Sequence, residues 1–87
     1  MRNTDLSRIE KLMELHYPTL FRFAERLCGS PAEAMVLTQR TFRLAFDFSL
    51  ALPVPVNNRA WLFAILFDKF LEGHRAYTGE LAFARAR

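Results

Sequence analysis

Few side chains in this sequence are of a type that does chemistry, and their spacing suits it poorly. The two histidines, His16 and His74, stand far apart, and neither has a second histidine or a carboxylate at the spacing a zinc site requires. Glu10 and Glu14 lie one helical turn apart, as an acid–base pair would, yet the same spacing describes any solvated helix face, with His16 as a surface residue beside it. Cys28, the single cysteine, has Arg26 nearby. A neighbouring cation activates a thiol, whereas an inert cysteine packs as a small apolar residue, and the second role is the one expected. No glycine-rich phosphate loop occurs. These residues predict no enzyme, no metal site and no cofactor.

A different chemistry is open to Asn57-Asn58-Arg59-Ala60-Trp61 and to Arg75. Amides, cations and aromatic rings are the groups that hold phosphates and unpaired bases. Singly, each has a plainer role: Trp61 as a core anchor whose truncation is the most damaging in the chain, Arg59 and Arg75 as parts of a solvated or salt-bridged face.

The elements that must position these residues follow from the punctuation. Gly occurs only at 29, 73 and 79, and three of the four Pro stand at 31, 53 and 55. The pieces between them are long, and long pieces suggest helices. Leu6, Ile9, Met13, Tyr17, Leu20, Ala24 and Leu27 or Cys28 recur at three- and four-residue steps along one face. Pro18 lacks an amide hydrogen, so the pattern predicts a break near His16–Pro18 and a second helix ending at Gly29. Ser30-Pro31-Ala32-Glu33 predicts a capping box, in which Ser30 accepts from the Glu33 amide and the Glu33 carboxylate returns to the Ser30 amide. The helix it starts carries Ala34, Leu37, Thr41, Leu44 and Phe48 on one line, with Met35, Phe42 and Ala45 beside it, and ends around 46–50. The prolines make residues 49–58 a loop of about ten residues. Asn57 or Asn58 then caps a last helix running to about Ala76, and the tail from Thr78 adds a short frayed helix.

The chain has 87 residues, 52% of them hydrophobic and 14% aromatic, which suits one small domain, residues 1–87, with a packed core. A net charge of +3 permits a polyanionic partner without requiring one. One cysteine excludes an internal disulfide. No run is long and apolar enough for a membrane span, and the first residues lack a secretory signal, so a cytoplasmic location is expected.

Two segments in order around the loop carry a family resemblance. The first is Ala34, Leu37, Gln39, Thr41, Phe42, Ala45 and Phe46; the second is Trp61-Leu62-Phe63, Ile65, Glu72 and Arg75. Over about residues 10–76 the chain resembles region 2 of the extracytoplasmic-function type of bacterial RNA polymerase sigma factor. That resemblance implies an all-α bundle of three to four helices that grips the clamp helices of the polymerase β′ subunit and captures an unpaired base of the promoter −10 region. It implies Gln39, Arg40 and Arg43 at the polymerase contact, and Asn57, Asn58, Arg59, Asp68, Lys69 and Arg75 at the DNA contact. RNA polymerase core, promoter DNA and an anti-sigma factor are the partners it implies.

The departures from the family pattern define an alternative. Met35-Val36 stand where the family carries Glu-Asp, Arg40 where it carries Glu, and Ala64 and Phe67 where it often carries basic residues. Losing these charges weakens attraction to a basic partner and to phosphate. The alternative is a sigma-like helical interaction module that has lost DNA binding and forms a homodimer or holds a regulator. Apolar residues nearly encircle the last helix, so its self-association surface is expected at Phe63 and Phe67.

Overall fold

A computed structural model describes the backbone of residues 2–86 and the side chains of residues 8–73. Three helices make up the fold: α1 (Arg2–Cys28), α2 (Pro31–Ala51) and α3 (Asn58–Ala86). Among the described residues there is no strand, and no helix is long and apolar enough to cross a membrane.

The expected break at Pro18 is absent, for α1 is continuous through it. Two features account for this. Pro18 is exposed, and so is Glu14, whose carbonyl loses its intrahelical donor and faces water instead. Beside the proline, Tyr17 stacks at 6.0 Å on Phe42 of α2 and at 6.2 Å on Phe21, and on the opposite side of the helix Leu20 is fully buried. This packing holds the turn that the proline weakens. Gly29, in the left-handed conformation at φ 71°, ends α1 and donates its amide to Glu25 at 2.8 Å.

Ser30 caps α2 as expected, its Oγ accepting from the Glu33 amide at 3.4 Å with Pro31 in the first turn. The reciprocal bond from the Glu33 carboxylate to the Ser30 amide is not formed. α2 runs on to Ala51, further than expected, because the Leu52 amide still reaches the Phe48 carbonyl at 2.8 Å. The loop therefore shrinks to residues 52–57. Of the two candidate caps for α3, Asn57 is the one used: its Oδ1 accepts from the Ala60 amide at 3.0 Å. α3 then passes through Gly73 and beyond Ala76 to Ala86 without the expected stop, so the separate tail helix is not formed.

α2 runs antiparallel to its neighbours, and α1 and α3 run in the same direction. Asn58 lies beside Arg8 to Leu15, Phe63 against Phe23, and Phe70 beside Leu27. The shared core comprises Leu12, Leu20 and Ala24 of α1, Ala34, Leu37, Phe42 and Ala45 of α2, and Leu62, Ile65 and Leu66 of α3. Alanines at three of these positions let the backbones approach closely. Thr38 and Thr41 are buried among them without penalty, since their hydroxyls donate to the Ala34 and Leu37 carbonyls at 2.7 and 2.8 Å. Met35 and Phe48, expected on the buried stripe, are exposed, and Thr38 takes the inward place. Trp61 packs only half-buried against the core, whereas its neighbour Leu62 is fully buried.

Candidate functional site

Two clefts are formed among the described residues. The larger, about 740 Å³, lies where the end of α1 meets α2 and the middle of α3, with Leu27, Leu37 and Phe70 on its walls. Arg40 and Lys69 both line it, so the structure brings together two cations that the sequence had assigned to different partners. Its charge is largely compensated. Glu33 shares the lining, and the Lys69 ammonium is bound to both carboxylate oxygens of Glu72 at 3.1 and 3.2 Å.

Cys28 also lines this cleft, and its thiol pKa is raised, first by burial and then by the Glu33 carboxylate. A raised pKa favours the protonated, less reactive sulfur, which agrees with a packing role. Alkylation of Cys28 by iodoacetamide at neutral pH is expected to be several-fold slower than that of a free thiol and to accelerate only as the solution becomes more alkaline. Faster reaction than the free thiol would show the opposite electrostatics.

The smaller cleft, about 370 Å³, is chemically more pointed. The loop supplies Val54, Pro55 and Val56, the start of α3 supplies Asn58, and the first turns of α1 supply Arg8, Lys11 and Leu15. Among the described residues, two cations line it and no carboxylate does. Both are exposed and lie outside the one ion pair among the described residues. Prolines stiffen the loop, and the Asn57 cap anchors its far end. An apolar wall, a side-chain amide and two cations are complementary to a flat heterocycle attached to a phosphate.

The other residues expected at a nucleic-acid contact are dispersed. Asn57 spends its carbonyl oxygen on the cap. Arg59 is exposed and lies over the Phe63 ring, 5.7 Å from its centroid, as a cation–π pair. Asp68 is exposed but stands nine residues further on, about 180° around the helix from Arg59, so the two do not share a face. Lys69 belongs to the other cleft. Arg75 lies outside the residues whose side chains are described.

Gln39, Arg40 and Arg43 are all exposed on the outer side of α2, beside the exposed Met35 and Val36. Of the two self-association residues, only Phe67 is outward, 44% exposed. Phe63 instead packs at 4.9 Å against Phe23 and is half-buried, because its place on α3 points toward α1. Arg8, Lys11 and Leu15 were missed in the sequence. Their three- and four-residue steps, offset from the buried Ile9 and Leu12, were a readable signal for a solvent-facing basic line.

No family model matches the chain, and neither a curated protein nor a solved structure matches it.

Proposed function

We propose that this protein is a sigma factor region 2-like transcription protein that holds an unpaired promoter strand of the −10 region and docks on the β′ clamp of RNA polymerase. The observation that carries this reading is the convergence of Arg8, Lys11 and Asn58 on one cleft walled by the loop between α2 and α3. A loop after the second helix is where the resembling family captures its base. The exposed Gln39, Arg40 and Arg43 on α2 supply the surface for the polymerase.

Single-strand binding tests it. A fluorescein-labelled single-stranded DNA of mixed sequence is expected to bind in an anisotropy titration. Reversing both charges, Arg8→Glu with Lys11→Glu, is expected to weaken it at least about tenfold, as loss of two phosphate contacts and gain of two repulsions requires. Wild-type affinity in that variant would remove the cleft from consideration.

The exposed Phe67, with Met35 46% and Val36 53% exposed, favours a second reading as an interaction module that pairs with another copy or a regulator. The two readings part at the same titration, since the module binds no strand.

A further inference from the structure

We infer that the strand does not end at the loop cleft but continues along the seam between α1 and α3, on a basic track formed by Arg8, Lys11, Arg59, Arg22 and Arg26. This inference rests on the proposed single-strand binding and extends it to Arg22 and Arg26, which lie outside the cleft.

Arg8, Lys11, Leu15, Pro18, Arg22 and Arg26 follow one another at steps of three or four, so they form one stripe on α1, and all six are exposed. The four cations lie outside the one ion pair among the described residues. Among the described residues of α1, the carboxylates lie to one edge of this stripe. Glu10, Glu14 and Glu25 fall toward the side that faces α2, the side of Tyr17 and Phe21. Arg8 and Arg26 fall toward the side that faces α3, the side of Phe23. There, Phe23 meets Phe63 at 4.9 Å, and the guanidinium of Arg59 covers Phe63 at 5.7 Å. The seam therefore joins half-buried aromatic rings to cations from both helices.

The stripe itself carries four cations and no carboxylate, which produces a local positive potential despite the modest net charge. Cations interleaved with aromatic groups suit a single strand, whose bases stack while its phosphates follow the charges. The stripe has the length for it. Arg8 and Arg26 are eighteen residues apart, about 27 Å along the helix axis. At the spacing of a stacked strand that distance spans about eight phosphates.

The test uses labelled single-stranded DNAs of about five and about fifteen nucleotides, short enough for the cleft alone and long enough for the track. For the wild-type protein the long strand is expected to bind at least about fivefold tighter. In the variant Arg22→Ala with Arg26→Ala, that gain should disappear while the short strand binds as before. The salt dependence for the long strand should fall by about 1.4 in logarithmic slope, the loss of two contacts to a single strand. Both arginines are exposed, and unchanged helical circular dichroism confirms that the variant is folded.

Three outcomes overturn the inference. If the Arg22/Arg26 variant keeps the long-strand gain while Arg8→Glu with Lys11→Glu abolishes binding, the cleft stands and the track falls. Binding of neither strand by the wild-type protein removes the underlying reading and the track together. Equal competition by a polyglutamate peptide of matched charge reassigns the stripe to acidic protein partners.

Discussion

Leu62→Ala is expected to destabilise the protein by about 3–5 kcal/mol, measured as a lowered midpoint in urea at unchanged slope. Leu62 is fully buried at the start of α3, within the core shared by all three helices. Its truncation leaves a void that packed helices close only partly. A single-domain chain of this size has only about 4–13 kcal/mol to lose, so the variant should be partly unfolded near body temperature. Trp61→Ala, the change the sequence marked as most damaging, should cost less, because water already reaches that side chain. A loss under about 1 kcal/mol for Leu62 would mean that α3 is not docked as described.

Pro18→Ala is expected to act in the other direction, stabilising the protein by about 1–3 kcal/mol. Alanine restores a donor to the Glu14 carbonyl and removes the clash of the proline ring inside a continuous helix. The gain is reduced because the unfolded chain becomes freer. Nothing packs on the proline that alanine would lose, since Pro18 is exposed. Thermal unfolding followed by circular dichroism gives the sign directly. A lower midpoint would show that α1 needs a bend at this position to reach its partners.

Much of the fold was legible because it is local. The Ser30-Pro31 start of α2 and the Asn57 cap of α3 are short-range hydrogen-bond chemistry, and the buried lines follow from helical periodicity. Pro18 misled because its effect was judged locally, while Tyr17, stacked on Phe42 of α2, and the fully buried Leu20 hold the turn through packing between helices. The basic line on α1 was legible, but the cleft it borders was not. Arg8 and Asn58 are fifty positions apart, and only the parallel course of α1 and α3 makes them neighbours. The separation of Arg59 from Asp68, by contrast, could have been worked out beforehand, since nine residues make two and a half turns.

The joint between α1 and α2 is only Gly29 and Ser30, whereas six residues lead from α2 to α3. That inequality orders assembly. The first two helices can zip together as a hairpin with almost no chain to close, and such local pairing is fast. α3 arrives across a longer excursion and can seat only on a surface that α1 and α2 have already built. The cleft beside the loop is completed at that last step, so a half-assembled chain carries Arg8 and Lys11 but not the pocket they line.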